Sequence, residues 1–112
     1  MNLDDLAAEL HQTAVEKGFW EPLFRMNTED SFIFYAKQIA MIHSEATEVL
    51  EAIRKNKGED QIVEELADII IRTLDLYNGM HNQGDVVTSL HKTVKRKSKV
   101  NKDRPRLHGT LG

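Results

Sequence analysis

Apolar positions recur along this chain at the three-and-four spacing of helices, and no stretch shows the alternation of strands. Leu3, Leu6, Ala7, Leu10 and Ala14 make one stripe, so residues 3–17 read as an amphipathic helix with Gly18 as its stop. Phe19-Trp20-Glu21-Pro22 interrupts the pattern, and 19–29 reads as a loop in which Thr28 or Asp30 is placed to cap the second helix. Ile39, Ile42, Ala46, Val49, Leu50 and Ile53 mark that helix from about Asp30 to Asn56, ended by Gly58. Glu59-Asp60 then sets negative charge at the start of a third helix, where the helix dipole favours it.

The third helix, about 60–78, departs from the usual amphipathic plan. Ile62, Val63, Leu66, Ala67, Ile69, Ile70, Ile71, Leu74, Leu76 and Tyr77 cover most of its circumference. Only one strip is strongly polar: Glu65, Asp68, Arg72 and Asp75. A helix apolar nearly all round is buried on several sides, which in a small protein calls for a second subunit. Ile69-Ile70-Ile71 is β-branched, but its flanks keep helical spacing and no turn signal intervenes. Asn78-Gly79 reads as the end, and a fourth helix is expected over about 84–99. The expected fold is all-α, a bundle of about four helices assembled as an oligomer.

Two acidic pairs stand on the two central helices. Glu45-x-x-Glu48 and Glu65-x-x-Asp68 each put two carboxylates on one helix face. Either pair alone fits a solvated surface. The short turn between the helices makes them pack antiparallel, so that the four acids meet. Four converging carboxylates cannot all stay ionised without a cation among them. Magnesium, a hard ion that prefers oxygen ligands, fits that demand and brings phosphate with it.

Charge distribution adds a second half to the picture. The net charge is −3, yet residues 92–106 hold eight Lys/Arg against the single acid Asp103, leaving seven basic and 17 acidic residues elsewhere. On composition alone this basic run is a solvated helix end; beside the acids it is placed to hold a polyanion. Other chemistries fail on the residues. No histidine has an acid three positions before it, as di-iron bundles require, and there is no His-x-x-x-His pair or P-loop. Without cysteine, disulfides and thiolate metal sites are excluded. Arg72 reads either as the ionic partner of Asp75 or a neighbouring acid, or as a phosphate contact. Trp20, with Phe19 and Phe24, reads either as packing or as a stacking surface for a base.

At 112 residues the chain is expected to be one domain, 1–112, with the basic segment 92–112 closing the site. The acidic start, Met1 to Asp5, is not a signal peptide, and no apolar run approaches the roughly 20 residues of a bilayer span, so a cytoplasmic location and no membrane partner are expected.

The segment His43 to Arg54, followed by Glu64-Glu65-Leu66-Ala67-Asp68-Ile69-Ile70-Ile71-Arg72, resembles the MazG-like branch of the all-α nucleoside triphosphate pyrophosphohydrolases. The closing Lys97-x-x-x-Asn101-x-x-Arg104-Pro105-x-x-His108-Gly109 is similar to the tail of small single-domain members. The resemblance implies cleavage of a nucleoside triphosphate to monophosphate and pyrophosphate, with Glu45, Glu48, Glu65 and Asp68 holding Mg2+ or, in its place, Mn2+. In such a reaction a carboxylate not fully used in coordination, Glu45 or Glu48, is expected to take the proton of the attacking water. Lys97, Asn101, Arg104 and His108 would bind phosphate or close the site, in a homodimer or homotetramer. Two positions depart from the pattern: Ser44 stands where many relatives have Glu, and Thr110 where they often have Lys. The competing readings are a non-enzymatic helical interaction or regulatory module and a nucleic-acid binder using 92–106. The acidic body argues against the second, so nucleic acid is not the expected partner. Phosphoribosyl-ATP pyrophosphohydrolase is an alternative with the same chemistry.

Overall fold

The computed structural model describes residues 1–105, apart from the side chain of Thr28. Those residues form five α-helices and no strand: α1 (Leu3–Glu16), α2 (Glu21–Phe24), α3 (Ser31–Arg54), α4 (Glu59–Asn82) and α5 (Leu90–Lys102), with a 3-10 turn at Thr28–Asp30 before α3. The all-α expectation holds, with one short helix, α2, inside the segment expected to be a loop.

Helices α3 and α4 are the long arms of an antiparallel hairpin, and α1 packs along α4. The hairpin turn needs left-handed backbone at Asn56 (φ 52°) and Gly58 (φ 96°), where side chains other than Asn and Gly are disfavoured. At the N-terminus, Asn2 caps α1 by accepting from the amides of Asp4 and Asp5. Asp30 occupies the N-cap position of α3 but makes no side-chain cap bond. The chain enters through the 3-10 turn, which leaves Asp30 in helical rather than extended backbone.

Trp20, Leu23, Phe34, Tyr35 and Leu76 form the core, at the end of the hairpin where α1 and α2 meet it. Trp20 is fully buried. Its ring packs edge-on against His11, with centroids 4.5 Å apart, and lies 5.0 Å from the Phe34 ring. The same ring explains why α4 outruns its expected end. The helix does not stop at Gly79 but continues to Asn82. A Cβ on Gly79 would fall 2.0 Å from Trp20 Cη2, so the glycine is there to admit the indole and not to break the helix.

Residues 83–89 connect α4 to α5, so α5 starts later than expected. This connection is pinned on both sides. Tyr35 Oη donates to Asp85 Oδ2 at 2.5 Å, and Tyr77 Oη donates to the Thr88 carbonyl at 2.7 Å. Burial and the adjacent Asp85 carboxylate hold the Tyr35 phenol above its ordinary range. Ser89 caps α5 by accepting from the Lys92 amide at 3.1 Å, and its hydroxyl donates to Asp4 of α1. Asp4 also accepts from the His91 amide at 2.9 Å. The Ser89 hydroxyl first, then the backbone amides, keep the Asp4 carboxyl below its usual range.

Along its outer side the hairpin leaves Ile39, Leu50 and Ile53 of α3 and Val63, Leu66 and Ile70 of α4 between 45% and 56% exposed. No helix among the described residues is long and apolar enough to cross a membrane.

Candidate functional site

In an antiparallel hairpin, residues that precede a given level on one helix face residues that come after it on the other. Glu45 on α3 and Asp68 on α4 share a level with Glu65 one turn away. Carboxylate oxygens of Glu45, Glu65 and Asp68 all lie within 4.8 Å of one another. Glu48 is not one of these three, but its interaction with Glu65 and then Glu45 raises its carboxyl above the ordinary glutamate range. Both acidic motifs therefore contribute carboxylates to the cluster.

The cluster has a definite internal geometry. Glu45 Oε1 accepts from Arg72 Nε at 3.0 Å, and Glu65 Oε1 accepts from Gln61 Nε2 at 2.8 Å. The second oxygen of each, Glu45 Oε2 and Glu65 Oε2, is buried and has no hydrogen-bond partner. Leaving a buried carboxylate oxygen unmatched is costly, by about 1–3 kcal/mol or more for each group. Both unmatched atoms belong to the acid cluster, so the donor set fits a hard divalent cation. Of the two roles open to Arg72, the structure shows an ion pair, made with Glu45 and not with Asp75.

Asp75 is engaged elsewhere. Its Oδ1 accepts from Trp20 Nε1 at 2.9 Å and lies 2.8 Å from His11 Nδ1. A carboxylate oxygen only accepts, so His11 carries its proton on Nδ1. This arrangement corrects the reading of Trp20 as a base-stacking residue. With the ring fully buried and its N–H committed to Asp75, Trp20 has no face left for a ligand. Phe19, next to it, is 67% exposed and borders a cleft.

The cleft has a volume of about 530 Å3 and runs along the hairpin from the acid cluster towards the core. Glu45 and Asp68 stand at its acidic end, Arg72 and Met41 in the middle, and Lys37, Gln38 and Asp75 beyond them. Residues Leu10, Thr13 and Ala14 of α1, with Phe19 and Pro22, wall its other side. Lys37, Gln38 and Thr13 were not singled out from the sequence. A signal for Gln38 existed: it precedes Glu45 by seven residues as Asp75 comes seven after Asp68, which puts both two turns further along the same faces.

Among the described residues α5 meets α1, and none of Lys97, Asn101 and Arg104 lines the cleft. His108 lies outside the described residues. Exposed His43 is not among the grouped ligands.

No curated protein and no solved structure matches this chain. The family model of the MazG nucleotide pyrophosphohydrolase domain matches residues 35–101, which covers most of α3, all of α4 and most of α5 and includes all four acids. With more than half of its length covered by that match and its two acidic motifs gathered on one helical hairpin, the chain belongs to the MazG nucleotide pyrophosphohydrolase family.

Proposed function

We propose that this protein hydrolyses nucleoside triphosphates to the monophosphate and pyrophosphate at the α3–α4 acid cluster, as a nucleotide-pool housecleaning enzyme. Mg2+ is the cofactor, with Mn2+ able to replace it. The observation that carries this reading is the pair of buried, unpartnered oxygens, Glu45 Oε2 and Glu65 Oε2, within a cluster completed by Asp68, with Glu48 interacting with both glutamates.

Glu45, Glu48, Glu65 and Asp68 would hold the cation. When bound, it polarises phosphate oxygens as a Lewis acid. Arg72 and Gln61 fix one oxygen of Glu45 and of Glu65, which keeps the other aimed into the cluster. Water adds to the α-phosphorus, the α–β bridging bond breaks, and pyrophosphate leaves. Of the two candidate bases, Glu48 is favoured over Glu45. Glu45 Oε1 is already committed to the Arg72 guanidinium, whereas Glu48 makes no ion pair among the described residues.

Assembly with a second copy of the chain completes the site. The exposed apolar side of the hairpin is taken to pack against that copy. Its α5 would bring Lys97, Asn101 and Arg104 to the phosphates, stabilising the charge on the departing pyrophosphate. A radius of gyration of 16.3 Å supports this, since a compact chain of this length has about 13 Å.

The test is a panel of ribo- and deoxyribonucleoside triphosphates with Mg2+, scored for monophosphate and pyrophosphate by chromatography. Glu48→Gln and Asp68→Asn keep shape and remove charge. Each should lower turnover by about a hundredfold or more with an unchanged circular dichroism spectrum. Wild-type rates in both folded variants would refute the site.

A further inference from the structure

The cleft continues two helical turns beyond the acids, and its far end is chemically specific. Asp75 comes seven residues after Asp68 on α4, which carries it about 10 Å along the axis on the same face. Gln38 precedes Glu45 by seven on α3 and arrives at the same level from the other arm. This is the reach of a nucleoside from its α-phosphate to the edge of its base. Both residues line the cleft, as does the exposed ring of Phe19.

Asp75 is fixed in an unusual way. Both of its donors, Trp20 Nε1 and His11 Nδ1, use Oδ1. Oδ2 accepts no hydrogen bond among the described residues, although the side chain is only 16% exposed. A fixed acceptor with an open oxygen therefore sits on the wall of the cleft. Resting on the triphosphate reading above, we infer that this end of the cleft receives the nucleobase and that Asp75 selects bases carrying an exocyclic amine.

An amine donates to Asp75 Oδ2, Gln38 offers an amide to the neighbouring ring positions, and Phe19 supplies a stacking face. Uracil and thymine turn a carbonyl to the place where cytosine has its amine, and a carbonyl oxygen against a carboxylate is repelled. Rejection of a ligand that leaves a fixed polar group unmatched is large compared with rejection by shape alone. Asp75 is thus a specificity-determining residue, and its engagement with His11 and Trp20 is what holds it in place.

The experiment compares the non-hydrolysable α,β-imido analogues of dCTP and dUTP by isothermal titration, with hydrolysis of the natural pair monitored in parallel. The cytosine analogue should bind about tenfold or more tightly, and Asp75→Asn should close the gap by strengthening uracil binding, because an amide donates as well as accepts. Equal binding, preference for uracil, or no binding of either analogue to the wild type would overturn the inference, whatever the hydrolysis assay shows. So would an undiminished gap in folded Asp75→Asn. If that variant does not fold, the wild-type ratio decides together with Phe19→Ala, which should weaken both analogues alike; a Phe19→Ala protein with unchanged affinities would remove the cleft from consideration. Discrimination in binding without any turnover would refute the proposed reaction and leave the base site standing.

Discussion

At the scale of residues, the four acids differ although their motifs look alike. Glu45 and Glu65 are half-buried with one oxygen each unmatched, Asp68 is exposed, and Glu48 carries the raised pKa. That shift has a consequence for stability. A carboxyl that keeps its proton longer in the folded protein than in the unfolded chain favours folding at low pH. The contribution is lost as pH rises through the elevated value, because Glu48 must then ionise beside Glu65 and Glu45. A divalent cation binds the ionised cluster and opposes the loss. The rise in Tm on adding Mg2+ should therefore be larger near about pH 7 than near about pH 5; a pH-independent increment in a thermal scan would contradict this. Gly79 makes a second prediction at this scale. Alanine is ordinarily favoured over glycine within a helix, but here its Cβ would fall 2.0 Å from the buried Trp20 ring. Gly79→Ala should destabilise by about 1–3 kcal/mol in urea unfolding, since the indole has nowhere to move.

Helix types and order were largely legible in the sequence because each long element carries a clear stripe. The hairpin of α3 and α4 and the meeting of its acids came from the short turn at Asn56 to Gly58. Where structure and sequence expectation differ, local signals were ambiguous. Asn78-Gly79 has the composition of a stop, and only a ring from another element shows why glycine is there. The sequence allowed Arg72 an acidic partner but left it open between Asp75 and a neighbour; three-dimensional packing gave Asp75 to His11 and Trp20 and left Arg72 to Glu45. The connection 83–89 took residues expected in the last helix because Tyr35 and Tyr77 hold it in a non-helical path. α5 in turn depends on its first residues. Ser89 caps it and bonds to Asp4, so Ser89→Ala should cost about 1 kcal/mol. Hydrogen exchange should show the loss as faster exchange confined to α5 and the α1 N-terminus. Exchange that rises uniformly across α3 and α4 would show that the cap is not a local device.

For the whole molecule, the outstanding feature is apolar surface that one copy leaves open. Val63, Leu66 and Ile70 are about half exposed on the helix whose sequence is apolar almost all round. If self-association covers them, light scattering should give the mass of a dimer or tetramer. Leu66→Glu should then shift it to a monomer with loss of turnover. A wild-type monomer with full activity would refute the assembly proposal and the delivery of α5 by a second copy.

Sequence alone determined the four longer helices, the placement of two acid pairs on neighbouring faces and the family, because these depend on periodicity and on short separations along the chain. Tertiary structure alone decided which atoms of those acids are left unmatched, that Trp20 is core and Phe19 is surface, and that Asp75 lines the cleft with one oxygen held by Trp20 and His11. Those outcomes depend on contacts between α1, α2 and the hairpin, whose residues lie 55 and 64 positions apart at the Trp20–Asp75 and His11–Asp75 bonds. A pattern read within one helix carries no information about partners brought together from such distances.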